Sequence, residues 1–335
     1  MKSTYLLLAP LVLATPLVPT ETKLDFAPEE GTVLTRHFEA TLEMELASFQ
    51  VLLDDEELTI PDVDWSIEWV ESIEVEDELL EVEDGRPTEM VRTFGDLRQE
   101  STIDANGEEH ELLSTSALQG RVLRFEWDDD AEYYTIESDD DEGDLDEETL
   151  EWLEEDMDLR AVLPEDAVET GDTWEIDAAV YLPLMWPGGL LGFLEEDEDE
   201  LSPLSRELNE ETIENLTGEG EATLEEIREE SGVRVAVIKL ELGIETEAEA
   251  VDDDLETEDG EEIPPLTHTV TIERQLEGEI LWDLEHNHLY SADIQASVKK
   301  THARSQTVHA DGEHEVVEQE TYEGRLEYVV TIDRE

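Results

Sequence analysis

Apolar and acidic residues alternate along much of the chain. Phe38, Ala40, Leu42, Met44 and Leu46 alternate with polar residues, three of which are glutamates. An apolar residue at every second position is typical of a strand with one buried and one solvated face. The same alternation returns around Ile67–Val75, Leu123–Trp127, Ala236–Ile244, Val270–Leu284, Tyr290–Val298 and Tyr322–Ile332.

Turn signals separate these runs. Asp84-Gly85, Asn106-Gly107, Ser231-Gly232 and Asp311-Gly312 stand between successive apolar alternations. Such pairs tolerate the positive φ angles of tight hairpins. The predicted fold class is therefore α+β and mainly antiparallel β, with two β-rich halves of long curved strands and a few helices.

Two stretches have helical spacing. Asp146 precedes Leu150, Leu153 and Met157, which predicts a capped helix over residues 146–157. Ser202-Pro203 predicts the start of a second helix, because serine caps helices and proline is favoured in their first turn.

The stretch from Leu163 to Trp174 predicts the joint between the halves. Pro164 ends the preceding helix, Gly171-Asp172 turns the chain, and Trp174 anchors the next strand. We expect a signal peptide in residues 1–20, an N-terminal β-rich half in 21–160, and a C-terminal half with a long-stranded meander in 161–335.

Charge changes the picture of where the protein works. The 335 residues include 97 Asp and Glu against 19 Lys and Arg, which gives a formal net charge of −78. Such a chain repels itself unless salt screens the repulsion, so we expect a halophile-type protein. The alternative is an acidic decoy for a nucleic-acid-binding partner. Direct nucleic-acid binding is not expected, because no basic patch is available to neutralise phosphates.

The N-terminus predicts export. Lys2 precedes a short apolar run, residues 5–14, which is typical of a secretory signal and too short to cross a membrane. No later run reaches membrane-spanning length, so no transmembrane segment is expected after signal removal. The chain has no cysteine, which excludes disulfides, thiolate metal sites and a lipidated cysteine. We expect a periplasmic or extracellular location.

The candidate ligand-binding segment is the apolar, irregular stretch from Tyr181 to Leu194. Two prolines and three glycines interrupt it, so it cannot form a long helix or strand. It is either a loop packed over the core or a lid that borders an apolar concavity, with Trp186 partly exposed. The candidate ligand-binding residues are Tyr181, Met185, Trp186, Leu190 and Phe193.

Metal and catalytic motifs are sparse. His286 and His288 are the candidate metal ligands, with His302, His309 or His314 as a third, although residues 285–288 also fit a hairpin turn. An EF-hand at 138–149 is excluded, because Ser138 and Thr149 occupy the first and twelfth positions, where carboxylates are required. No cofactor motif and no catalytic residue stands out.

The Leu-Pro-x6-Gly-Asp-Thr-Trp stretch, Leu163 to Trp174, resembles one in uncharacterised secreted bacterial β-rich proteins. Long curved strands and a helix behind a signal peptide also resemble the periplasmic lipoprotein-carrier half-barrel. The resemblance implies a fold and export but no activity. We therefore expect a non-enzymatic binding, carrier or structural module for an apolar ligand or protein partner. The alternatives are an envelope or extracellular hydrolase that uses carboxylates, and a protein-interaction or assembly factor.

Overall fold

The computed structural model describes residues 21–54, 56–61, 63–140, 145, 149–150, 152–195, 202–252, 264–309 and 313–334. Its strands are β1 (Thr32–Leu53), β2 (Glu56–Glu57), β3 (Trp65–Glu83), β4 (Arg86–Ala105), β5 (Glu108–Ser116), β6 (Val122–Asp128), β7 (Tyr133–Ser138), β8 (Thr173–Asp177), β9 (Phe193–Glu195), β10 (Thr217–Glu230), β11 (Val233–Asp252), β12 (Leu266–Asp283), β13 (His288–His309) and β14 (Glu313–Arg334). The helices are α1 (Leu182–Met185) and α2 (Pro203–Glu214), with 3-10 turns at Arg160–Val162 and Ala178–Tyr181.

The described strands form one antiparallel sheet. Its main order is β7-β6-β4-β3-β1-β14-β13-β12-β11-β10-β8, with β2 beside β1 and the pair β5-β9 attached to β4. The two halves of the chain meet where β1 pairs with β14 over 19 residue pairs, from Leu34 opposite Arg334 to Leu53 opposite Val316. The predicted mainly antiparallel fold class is confirmed, and both halves contribute strands to the same sheet.

Alternation gives this sheet one buried and one acidic face. Along β11, Ala236, Ile238, Leu240 and Leu242 are buried, whereas Lys239 and Glu241 between them are exposed. Successive side chains of a strand point to opposite faces, so the apolar set of each strand lies on the same side. We call this buried side the inner face.

Glycines let neighbouring strands approach closely on the inner face. A Cβ atom on Gly324 in β14 would lie 1.9 Å from the backbone carbonyl oxygen of Glu43 in β1. A Cβ atom on Gly278 in β12 would lie 2.4 Å from the backbone carbonyl oxygen of Asp293 in β13. Neither strand pair tolerates a side chain there. Glycines inside strands commonly mark such close approaches.

The inner face is covered by residues 152–195, which we call the covering segment. Leu153, Met157, Val162 and Leu184 of this segment belong to the same core cluster as the buried residues of the sheet. Helix α2 packs over β11, where the Thr246 hydroxyl donates to the Thr212 carbonyl at 2.9 Å.

The helix predicted over 146–157 is wrong from residue 152 onwards. Leu153 and Met157 are buried as predicted, but this part of the chain is not helical. The Glu154 amide donates to the Gly188 carbonyl at 2.9 Å, and the Leu190 amide donates to the Trp152 carbonyl at 3.0 Å. Bonds to a distant loop therefore replace those of a helix.

The predicted start of the second helix and three of the predicted hairpin turns are confirmed, whereas the chain before Pro164 forms a short 3-10 turn instead of the predicted helix. Ser202 caps α2 by accepting from the Ser205 amide at 3.1 Å, with Pro203 in the first turn. Asp84-Gly85, Asn106-Gly107 and Ser231-Gly232 adopt positive φ in hairpin turns. The predicted signal peptide, most of the acidic stretch 138–149 and the turn at Asp311-Gly312 lie outside the described residues.

Candidate functional site

The joint at Leu163–Trp174 leads from the 3-10 turn Arg160–Val162 into the edge strand β8. Gly171 has φ of 95° and its amide donates to the Leu224 carbonyl at 2.7 Å. The indole of Trp174 is half-buried and donates to the Val162 carbonyl at 2.7 Å. Trp174 thus ties the covering segment to the sheet edge, which is a structural role.

An apolar pocket lies between the covering segment and α2. Its volume is about 250 Å³. It is lined by Trp152, Glu154, Asp156, Ala161, Ala179, Leu182, Pro183, Trp186, Gly189, Leu190 and Ile213. Two indole rings and six aliphatic or proline side chains meet there, and the two carboxylates in the lining belong to Glu154 and Asp156.

Gly189 gives this pocket its shape. Its φ is 95°, and a Cβ atom there would lie 2.0 Å from the Trp152 carbonyl oxygen. The positive φ and the contact both require glycine. Gly189 lets the chain at residues 188–190 lie against the chain at residues 152–154. This contact places Trp152 and Trp186 on the same pocket.

The five predicted ligand-binding residues divide between two sides of the covering segment. Trp186 and Leu190 line the pocket, and Trp186 is half-buried. Tyr181 and Met185 face the sheet, where both contact Arg274. Phe193 is half-buried in β9 and pairs with Ser116 of β5.

Arg274 lies on the inner face of β12, underneath Tyr181 and Met185. Its guanidinium carbon lies 5.3 Å from the centre of the Tyr181 ring, and an Nη1 hydrogen points at the Met185 sulfur. Within the described chain it forms no ion pair with a carboxylate, and its Nε and the Tyr181 hydroxyl have no hydrogen-bond partner. Burial lowers the pKa of Arg274 to about 10.

Further basic side chains continue along the same face. Lys300 of β13 has its pKa lowered by burial and by the neighbouring Arg274. Beyond it, His302 lies 3.1 Å from His268, and burial together with Lys300 lowers the pKa of His302 to about 4. The inner face therefore holds two desolvated cations, Arg274 and Lys300, followed by two histidines whose pKa values are lowered.

A second group of buried arginines lies under residues 154–158. Arg36 of β1 contacts Asp77 of β3 at 2.6 Å and Asp158 of the covering segment at 2.5 Å. Arg92 of β4 binds both oxygens of Asp77, at 2.8 and 2.9 Å, and donates to the carbonyls of Glu154 and Glu155, each at 2.8 Å. We call Arg36, Asp77, Arg92 and Asp158 the arginine–aspartate cluster.

The two positive charges of Arg36 and Arg92 balance the two negative charges of Asp77 and Asp158. Burial alone lowers the pKa of Arg36, but Asp158 and Asp77 together raise it above its usual value. All four residues are at most 1% exposed. The sequence gives no local sign of the cluster, because its members are far apart in the chain.

Two buried glutamates have perturbed pKa values. Burial raises the pKa of Glu71 on β3 to about 7, and the hydrogen bond from the Gln99 amide opposes this rise. Burial also raises the pKa of Glu155 to about 7, while Arg160, which contacts its Oε2, lowers it. Their protonation changes within the neutral range.

The histidine candidates are arranged differently from the prediction. In the described chain, His286 and His288 converge with Asp283, and the ligand atoms of the three lie within 4.8 Å of one another. His302 pairs with His268, and His314 bonds to Asp54 at 2.7 Å, so neither is the third member. The side chain of His309 lies outside the described part. The missed signal was Asp283 at the first position of Asp-x-x-His-x-His.

Comparisons with known proteins give no family. No protein-family model matches the chain, and no curated protein matches it. Among the described residues, no helix combines the length and the apolar character that crossing a bilayer requires.

Proposed function

We propose that the protein is a non-enzymatic binding module that holds an apolar group in the pocket at Trp186. The observation that carries the proposal is the meeting of Trp152, Trp186, Leu182 and Leu190 around one opening in a chain of net charge −78. Apolar clusters accessible from solvent often mark binding sites. Indole rings supply large apolar faces at little cost in side-chain entropy.

Residues 181–194 act as the lid in this proposal. They separate the pocket from the sheet, and Tyr181 and Met185 rest on Arg274 without a carboxylate to hold the guanidinium. A cation–π contact is weaker than a buried, hydrogen-bonded ion pair. The Tyr181–Met185 end of the covering segment is therefore less tightly fixed than residues 154–158, which the arginine–aspartate cluster holds.

The occupant that fits best is a side chain or chain end rather than a whole ligand. A volume of about 250 Å³ lies slightly below the range of about 300–1,000 Å³ typical of small-molecule sites. This size favours, as a second candidate function, a protein-interaction factor whose partner inserts an apolar side chain at Trp186.

The carboxylate-hydrolase alternative has less support. Asp77 and Asp158 are held by arginines, and Glu155 contacts Arg160. Glu71 has a pKa suited to proton transfer, but it is 7% exposed, and its hydrogen-bond partner is Gln99. We also propose that the protein is exported and works at high salt, on the strength of its N-terminal apolar run and its charge.

Fluorescence titration with the neutral apolar probe N-phenyl-1-naphthylamine, in molar potassium chloride, tests the binding proposal. We expect saturable binding that quenches tryptophan emission. Trp186→Ala should weaken binding at least about tenfold, because burying an aromatic face contributes more than about 1.4 kcal/mol.

Trp127→Ala is the matched control. Trp127 is also half-buried, but it packs under Arg86 at 4.2 Å and beside Tyr134 at the other edge of the sheet. Binding that survives Trp186→Ala, or that both variants weaken equally, contradicts a site at Trp186. Binding of a purified partner protein but not of the probe would favour the interaction factor.

A further inference from the structure

The hairpin between β12 and β13 gathers three metal-binding side chains. Asp283 ends β12, His288 begins β13, and His286 lies in the turn between them, where Asn287 has φ of 57°. The Asp283 Oδ2 lies 2.6 Å from His286 Nδ1 and 4.0 Å from His288 Nε2. Three potential ligand atoms from one short turn therefore face a common point.

His288 provides the decisive observation. Its Nδ1 lies 2.6 Å from the Leu289 carbonyl oxygen, so Nδ1 carries the hydrogen and donates it. In the neutral ring the lone pair is then on Nε2, which is buried and has no hydrogen-bond partner. The residue is 3% exposed, and this nitrogen points towards a carboxylate that can only accept. Two acceptors facing each other in the interior are unfavourable unless a cation lies between them.

We infer that Asp283, His286 and His288 form a binding site for a divalent transition-metal ion of the zinc class. Two imidazoles and one carboxylate are a common ligand set for zinc, with a fourth position left for water. The proposal is independent of the binding function proposed at Trp186.

The distances suit such an ion after a small adjustment. Ligand atoms at about 2.0–2.1 Å from a tetrahedral ion are roughly 3.3 Å apart. The separations of 2.6 and 4.0 Å from Asp283 Oδ2 lie on either side of this value. His286 is about one-third exposed and can shift outwards, and its exposure gives solvent access to the fourth position.

Neighbouring bonds orient the ligands. The Asp283 Oδ1 accepts from the amides of Glu285 at 2.7 Å and His286 at 3.0 Å, and Oδ2 lies 2.6 Å from His286 Nδ1, a hydrogen bond that the ion would replace. The hydrogen bond from Nδ1–H of His288 to the Leu289 carbonyl fixes the orientation of the imidazole ring. Metal-bound histidines are commonly oriented by a hydrogen bond of this kind from their second nitrogen. The turn is also attached to the N-terminal segment, since the Ala27 amide donates to the Asn287 carbonyl at 3.0 Å.

Cobalt(II) titration of the full chain tests the site. Molar potassium chloride and excess magnesium occupy the many surface carboxylates, which bind hard cations through oxygen. We expect one cobalt ion per chain, with strong visible absorption from nitrogen ligands at low coordination number, and displacement by zinc but not by magnesium. His286→Asn and Asp283→Asn should each weaken binding at least about tenfold.

Both variants are chosen to keep the fold. His286 is partly exposed, and Asn at position 283 can still accept from the two turn amides through its side-chain oxygen. Circular dichroism checks that each remains folded, and His37→Asn is the matched control. His37 also lies between two carboxylates, but Glu74 is near Nδ1 and Asp333 is near Nε2, so its neighbours do not converge. Cobalt absorption that magnesium abolishes, or that folded His286→Asn and Asp283→Asn retain at full affinity, overturns the proposal.

Discussion

Two arginine sites lie beneath the covering segment on the same face of one sheet, and they are built in opposite ways. Arg36 and Arg92 share Asp77, and Arg36 also pairs with Asp158, so charges balance and most donors have partners. Arg274 is also buried, but it rests on an aromatic ring and a thioether. The chain carries 97 acidic residues, so a shortage of carboxylates does not explain why none pairs with Arg274.

The arginine–aspartate cluster anchors the covering segment, whereas Arg274 makes a contact that can be released. A buried guanidinium with fitted carboxylates holds its partners in one geometry, and removing a partner is costly. The cost of desolvating an unpaired guanidinium is relieved when the covering chain moves away and water reaches the charge. Residues 154–158 are therefore fixed to the sheet, whereas residues 181–185 can leave it at lower cost. This contrast supports placing the lid at Tyr181–Leu194.

The largest expected effect on stability comes from salt. Salt screens the charges on the surface but has little effect on the two buried arginine sites. A net charge of −78 places like charges close together, and each pair at 4 Å costs about 1 kcal/mol in water. The sum rivals a folding stability of about 5–15 kcal/mol. Molar salt shortens the screening length to about 3 Å and removes most of this repulsion. We expect circular dichroism melts to show a loosened or unfolded chain in dilute buffer and a cooperative transition at molar potassium chloride. A melting temperature that stays flat or falls with salt would favour the acidic-decoy interpretation.

Asp77→Asn attacks the anchor directly. The substitution keeps the size of the side chain but leaves Asp158 as the cluster's one carboxylate, in contact with Arg36 and not with Arg92. Breaking a buried ion pair costs about 3–5 kcal/mol. Urea unfolding at molar salt should show this loss, since urea adds no ionic screening of its own.

Asp139→Asn serves as the surface counterpart for that measurement. Asp139 pairs with Arg124 at 3.1 Å, and both side chains are partly exposed. We expect a change within about 1 kcal/mol, as for other exposed pairs. Equal effects of the two substitutions would show that the arginine–aspartate cluster is not an anchor.

The strands of this fold were predictable from the sequence, because alternation reports which face of a strand is buried. The arginine–aspartate cluster was not, since Arg36 and Asp158 are 122 residues apart and meet only because the covering segment packs over the sheet. Leu150, Leu153 and Met157 show the limit of periodicity. Their spacing fits a helix, but the Trp152 carbonyl and Glu154 amide bond to residues 188–190 instead. At the histidine turn, two of the three converging residues were found, and Asp283 was hidden among many acidic residues.

Glu71→Gln gives a smaller, pH-dependent effect. Burial raises the pKa of Glu71 to about 7 from its ordinary 4.5, so the folded state binds the proton more tightly than the unfolded state. Stability from this group is therefore present below pH 4.5, falls as the pH rises to about 7, and stays lost above it. Glutamine mimics the protonated form, so the variant should be more stable than the parent at pH 8, by up to roughly 3 kcal/mol. At pH 4.5 the two should be nearly equal in urea unfolding at molar salt. The same difference at both pH values would show that Glu71 ionises normally in the fold.

The smallest expected effect is that of Arg274→Met, and the comparison is sharpest when this variant is measured beside Arg36→Met. Arg274→Met removes a desolvated charge that has no carboxylate partner and loses a cation–π contact worth about 0.5–2 kcal/mol. The two terms oppose each other, and we expect stability in urea at molar salt to change by less than about 1 kcal/mol. Arg36→Met leaves Asp77 and Asp158 with one arginine fewer and should cost about 3–5 kcal/mol in the same measurement. Because methionine has a similar length and is apolar at both positions, the difference isolates the carboxylates rather than the volume of the side chain. If Arg274→Met is as destabilising as Arg36→Met, then Arg274 anchors Tyr181 and Met185 as firmly as the arginine–aspartate cluster anchors residues 154–158, and the covering segment has no movable end.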